Sequence, residues 1–169
     1  MSTKSRTWLA TALVAGTLSA CGGAPDRLIN TADVVSFAKA PAGLGHKKAA
    51  RALVNNYALL TRNAAAADLP RAEYLAAGIA PDATDVVANF QIYGYTRAQN
   101  SHAGDVFHTD YQIERVQRDG LDAALVTVVI GLTGVRPADL TRPDVSQAGT
   151  HRLRIERRPN GWVITGDAS

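Results

Sequence analysis

The chain has one cysteine, Cys21, in 169 residues. A lone thiol excludes an intramolecular disulfide even in an oxidising compartment, so stability must come from a packed core. A bilayer-length apolar run is also missing near the N-terminus. The run there, Trp8 to Leu18, is shorter than the ~20 residues a helix needs to cross ~30 Å of hydrocarbon. Charge of one sign is scarce too: the formal net charge is only +3. Taking Lys4 and Arg6 from the 18 basic side chains leaves 16 against 15 acidic ones, so the basic balance belongs largely to the first residues. A nucleic-acid partner would call for a dense basic patch, which is absent. No cofactor motif stands out. The stretch GLGHKK (43–48) lacks the Gly-x-x-x-x-Gly-Lys-Ser/Thr spacing and preceding strand of a phosphate loop.

What is present begins with a targeting pattern. Lys4 and Arg6 precede the apolar run, and small residues lead from it to Cys21. Leu18-Ser19-Ala20-Cys21 resembles the lipobox of bacterial lipoproteins at every position. The resemblance implies a diacylglyceryl group on the Cys21 thiol, cleavage before Cys21 and acylation of the new amino group. One acyl chain holds a protein only marginally, whereas two or three anchor it durably. Gly22 stands where Asp would imply retention at the inner membrane in lipoproteins of enteric type, so the implied address is the outer membrane, on its periplasmic face. An ordinary secretory signal with a chance cysteine, or a short membrane anchor, are the alternatives.

The expected organisation is a signal peptide over 1–20, the lipidated cysteine and a flexible tether over 21–32, and a single domain over 33–169. Gly22 to Ala32 is rich in helix and strand breakers, and as a coil it would span roughly 18 Å. About 149 mature residues suit one domain with a real core. Helices are expected at 33–39, 46–66 and 70–77. The second carries Ala49, Leu53, Tyr57, Leu60 and Ala64 on one face. Proline suits the first turn of the third, and Gly78 suits its stop.

After residue 85 the pattern has a period of two, which predicts strands at 86–97, 105–118, 121–133, 150–158 and 162–166. Asp119-Gly120 and Asn160-Gly161 are dipeptides that favour tight hairpins. Pairing across them sets Tyr111 opposite Val128 and Ile113 opposite Val126, with Phe90 and Ile92 on the neighbouring strand. One sheet face then reads Phe90, Ile92, Tyr111, Ile113, Val126, Val128 and Ile130, extended by Leu153, Ile155, Trp162 and Ile164. The expected class is α+β, with N-terminal helices on one face of a curved antiparallel meander. The element order, the strand lengths and the hairpin RLRIERRPNGWVITG over roughly 46–166 resemble the nuclear transport factor 2-like, or cystatin-like, cone fold.

The other sheet face carries the candidate site. Asn89, Gln91, Tyr93 and Tyr95 would lie beside His108, Asp110, Gln112 and Glu114. Tyrosines on a polar sheet suit a protein interface, and Tyr93, Tyr95, His108 and Asp110 are the expected contact residues. The cone-fold resemblance also implies a His–Asp pair for catalysis, which His108 and Asp110 would supply with a tyrosine donor. However, cone-fold pockets open toward the helices, where the apolar face shows no acid–base pair, so no enzyme is expected. His102, Asp105, His108 and Asp110 are metal-ligand types at a spacing that matches no strong motif. Arg152, Arg154, Arg157 and Arg158 suit a charged sheet edge, or contact with anionic headgroups near the anchor.

The resulting expectation is a membrane-anchored periplasmic lipoprotein without a cofactor. It would serve as a protein-binding scaffold in an envelope assembly, such as secretion or conjugation machinery. A small apolar ligand-binding or enzymatic domain and an immunity or exclusion lipoprotein are the alternatives. A ligand-binding domain would need an interior cavity of several hundred Å³.

Overall fold

A computed structural model describes residues 27–30, 36–66, 69–98, 106–135 and 143–168, with 27–30, 66, 92–98, 135 and 143–146 as backbone alone. In chain order the elements are β1 (Arg27–Asn30), α1 (His46–Ala66), α2 (Arg71–Ala76), α3 (Thr84–Ala98), β2 (Val106–Arg118), β3 (Ala123–Val135), β4 (Pro143–Arg158) and β5 (Gly161–Asp167). They form an α+β domain with one antiparallel sheet in the order β1-β2-β3-β4-β5. The helices pack on one of its faces.

α1 has the bounds its apolar spacing predicts, and Ala49, Leu53, Tyr57, Leu60 and Ala64 are all buried. The helix sits between the sheet and α3, so Asn55, Asn56, Thr61 and Arg62 are buried as well. Asn56 shows how a polar residue is accommodated there. Its Oδ1 accepts the Ala38 N–H at 2.8 Å, and its Nδ2 donates to the Ala38 and Ala77 carbonyls, each at 2.9 Å. One side chain thus ties the segment before α1 and the end of α2 to the central helix, each bond contributing roughly 1 kcal/mol net. That leading segment differs from expectation. Residues 36–39, the described part of the helix predicted over 33–39, have no regular structure.

α2 ends in a Schellman motif. Gly78 has φ +91°, its N–H bonds the Leu75 carbonyl, and the Ile79 N–H bonds the Tyr74 carbonyl. The strand expected over 86–97 is instead the body of α3. Asn89 to Arg97 alternates polar and apolar residues, which mimics a strand. Tertiary contacts decide otherwise: Ala83, Val86 and Phe90 recur at helical spacing and are buried. Phe90 lies in the core as expected, but it reaches there from a helix.

The sheet keeps the predicted faces with a different register. Tyr111 pairs with Ile130 and Ile113 with Val128, displaced by two residues, so these side chains keep the expected side. A longer turn, less one residue taken up by a bulge on β2, explains the displacement. Arg118 pairs with Ala124, and the Asp119 N–H bonds the Ala123 carbonyl, so the turn is longer than the two-residue one expected at Asp119-Gly120. Glu114 is an extra residue on β2, where the register shifts between Ile113 and Arg115. This bulge turns Val116 rather than Arg115 toward the core. At the last hairpin Arg158 pairs with Gly161, so Pro159 and Asn160 form the turn and Gly161 opens β5.

Three other expectations change. β4 begins at Pro143, seven residues before the strand expected at 150–158, and residues 136–142 lie outside the described residues. β1 pairs with β2 inside the stretch expected to be a tether. The arginines of β4 are not an edge, because β3 and β5 flank the strand. Arg154 bonds Asp119 and Glu156, Arg157 bonds Asp122, and Arg158 holds Asp82 in two parallel bonds of 2.9 Å. The side-chain bond from Arg158 keeps the Asp82 carboxyl below its ordinary value.

The free edge of β5 is covered by backbone. The Trp162 N–H bonds the Ala40 carbonyl at 2.7 Å, and Gly78 to Ala80 pair with Ile164 through two bonds of 2.8 Å. Trp162 also donates its indole Nε1–H to the Leu44 carbonyl at 2.9 Å. No described helix is long and apolar enough to cross a membrane.

Candidate functional site

A cavity of about 260 Å³ opens between α1, α3 and the core-facing side of β3 and β4. Tyr57 and Thr61 reach it from α1, Phe90 from α3, Ile130 and Leu132 from β3, Gly149 and His151 from β4, and Asp167 from β5. Asn89, Gln147 and Thr150 are exposed and form its mouth.

Two sequence features place its polar end. His151 is in phase with Leu153 and Ile155 on β4, so the alternation that buries those two also turns His151 inward. Asp167 arrives by a bulge. Ile155 pairs with Ile164, yet Arg154 pairs with Gly166 and Leu153 with Asp167, so Thr165 is extra on β5. Without that residue, regular alternation from Ile164 would turn Gly166 inward and Asp167 outward.

The two groups meet. His151 Nδ1 lies 2.8 Å from Asp167 Oδ2, and the Tyr57 hydroxyl donates to the same oxygen at 2.7 Å. The Asp167 side chain is 1% exposed and that of His151 16%. Oδ1 of Asp167 is buried without a hydrogen-bond partner among the described residues. Burial pushes the Asp167 carboxyl up. The bonds from His151 and Tyr57 pull it down, joined by the His151 charge and the Arg152 backbone amide, and the net position is below the ordinary value.

A carboxylate oxygen only accepts, so Nδ1 carries the proton in this bond. In its neutral form the His151 ring therefore presents Nε2 as an acceptor, the logic by which a buried aspartate fixes a histidine tautomer. Tyr57 is held by its ring as well, 4.7 Å from Phe90 and 5.3 Å from His151. Phe90 is packed in turn against Tyr74 at 5.8 Å. The Thr61 hydroxyl is committed to the Tyr57 carbonyl at 3.0 Å. The site thus combines apolar walls with one base whose orientation is fixed.

The residues expected to form an interface are separated. His108 and Asp110 stay together on the face of β2 away from the helices, half-buried, and their register partners on β1 are Asn30 and Leu28. Tyr93 and Tyr95 belong to α3, not to a strand beside them. Positions two apart on a helix do not share a face, and the side chains of both tyrosines lie outside the described residues. So do Cys21, His102 and Asp105. Among the described residues no group of His, Cys, Asp and Glu could hold a metal ion.

No family model matches the chain, and no curated protein matches it. Among solved structures it is similar to the crystal structure of the intermembrane space region of chloroplast protein ARC6, over 74% of this chain and 95% of that one. The identity is 15% and the TM-score 0.42, a likeness too low to carry a functional argument.

Proposed function

We propose that this chain is a lipid-anchored envelope protein whose domain binds a small, largely apolar molecule in the cavity at His151, Asp167 and Tyr57. The cavity itself carries the reading: an apolar pocket of about 260 Å³ with one convergent polar end has the build of small-molecule sites, just below their usual ~300–1,000 Å³. An engineered cavity of about 150 Å³ takes one benzene ring. This one suits a fused two-ring compound or a ring with a short substituent. The scaffold reading loses its main support, because the tyrosine-bearing sheet face on which it rested is not formed. Binding is favoured over catalysis because the Tyr57 and Thr61 hydroxyls are already committed, which leaves His151 without an opposing acid from the buried lining. A cone-like shape fits a sheet whose bulges at Glu114 and Thr165 add local twist around α1.

Two measurements test the proposal. Replacing the thiol, in Cys21→Ser, is expected to abolish incorporation of radiolabelled palmitate into the chain. Labelling of the variant at the wild-type level would overturn the lipid anchor. For the cavity, thermal unfolding of the detergent-solubilised chain is followed against a panel of one-ring and two-ring compounds. A binder at 100 times its Kd contributes about 2.7 kcal/mol and raises Tm by roughly 5–10 °C. Ile130→Phe, which fills the cavity, is expected to remove that rise. A panel with no binder would overturn the cavity reading.

A further inference from the structure

We infer that the bound molecule donates a hydrogen bond to Nε2 of His151, in the space that Gly149 keeps open by having no side chain. This rests on the cavity being a ligand site and narrows the chemistry of its ligand: an apolar ring body with one hydroxyl-type donor at its head.

Gly149 is the observation that points there. It lies within a strand, where glycine weakens the ladder and gives up side-chain packing. Nothing in the backbone calls for it. It is not among the glycines of positive φ, and the register around it runs unbroken, with Ile130 opposite Gly149, Val129 opposite Thr150 and Val128 opposite His151. A Cβ at this position would sit 3.4 Å from Nε2 and 3.9 Å from Cδ2 of His151. Any side chain there would therefore cap the ring nitrogen that faces the cavity. Glycine in a strand commonly marks a place where another group approaches closely, and here the group approached is Nε2.

The polarity of the bond follows from the other ring nitrogen. Nδ1 is fixed as a donor by Asp167, so the neutral ring accepts at Nε2. No hydrogen bond from a described residue reaches Nε2. The other buried walls at this end, Phe90, Ile130 and Leu132, have no side-chain donor to offer. A ligand with a hydroxyl head satisfies Nε2, whereas a plain hydrocarbon would leave that acceptor desolvated and unmet.

The test titrates the detergent-solubilised full chain with three probes of one ring system: 1-naphthol, 1-methoxynaphthalene and naphthalene. Wild type is expected to bind 1-naphthol about tenfold more tightly than either of the others. The ring nitrogens of His151, followed in long-range proton–nitrogen correlation spectra, should show Nδ1 protonated and the Nε2 resonance moving only with 1-naphthol. In Gly149→Ala, with its urea midpoint checked against wild type, the preference is expected to vanish. Equal binding of the three probes by wild type would overturn the inference and leave the cavity reading standing. So would a Gly149→Ala chain that keeps the preference. Failure of all three probes to bind would overturn both. His151→Phe serves as a second variant and is expected to bind naphthalene while losing the preference.

Discussion

Gly161→Ala is expected to lower stability by on the order of 4 kcal/mol, enough to move Tm down by roughly 10 °C in a domain of this size. Two costs combine. Gly161 has φ +138°, a region where only glycine is at ease. In addition, an added Cβ would lie 2.6 Å from the Ala40 carbonyl oxygen, which is backbone and cannot rotate away. That oxygen accepts the Trp162 N–H, so relief of the clash breaks the bond that closes the edge of β5. Gly78→Ala gives a useful contrast. It is also strained at φ +91°, but its clash at 2.7 Å is with Cδ2 of Leu53, the far end of a flexible side chain. The measurement is urea unfolding of both variants beside wild type. A loss at Gly161 no greater than at Gly78 would contradict the account of the edge.

Asp167→Asn is expected to lower stability by about 2–3 kcal/mol near neutral pH, the range for bonds to a buried charged acceptor. Its more telling effect is on the pH profile. The carboxyl of Asp167 lies lower in the folded chain than its ordinary value, which the unfolded chain restores. The unfolded state then binds more protons in that range, and stability from this group rises with pH. It is fully present above the unfolded value of about 4 and is lost as pH falls through the folded value. Wild type and Asp167→Asn should therefore differ most at pH 7 and converge toward pH 3 in urea midpoints. A difference that stays constant from pH 7 to pH 3 would show that the carboxylate charge does not contribute.

How far the fold can be read from sequence depends on whether local pattern and tertiary packing agree. In α1 they agree: an apolar residue returns every three to four positions, and both bounds follow. In α3 they conflict. The alternation from Asn89 to Arg97 has the period of a strand, and the helix shows in the spacing of Ala83, Val86 and Phe90, the last packed between Tyr57 and Tyr74. The sheet faces were legible because a slip of two residues keeps each side chain on its side, so the wrong turn length at Asp119-Gly120 left the core assignment of β2 and β3 intact.

The site divides along the same line. His151 was within reach, since it shares the parity of Leu153 and Ile155, which were read as part of the apolar face. Tyr57 was placed correctly in the core, without its bond. Asp167 was out of reach. A single inserted residue, Thr165, reverses its side, and nothing in the local sequence marks a bulge there.

The closing contacts of the domain span nearly its whole length. Tyr57 meets Asp167 across 110 positions, and Trp162 meets Leu44 across 118. Such pairings make folding slow, because the chain must close a long loop before it gains any of them. A nascent chain that lacks β5 leaves the Ala40 and Leu44 carbonyls without Trp162 and the Tyr57 hydroxyl without Asp167. The domain therefore stays unclosed until β5 has been made. A protein that is to be threaded through an export channel before it folds, as proposed for this one, benefits from that delay.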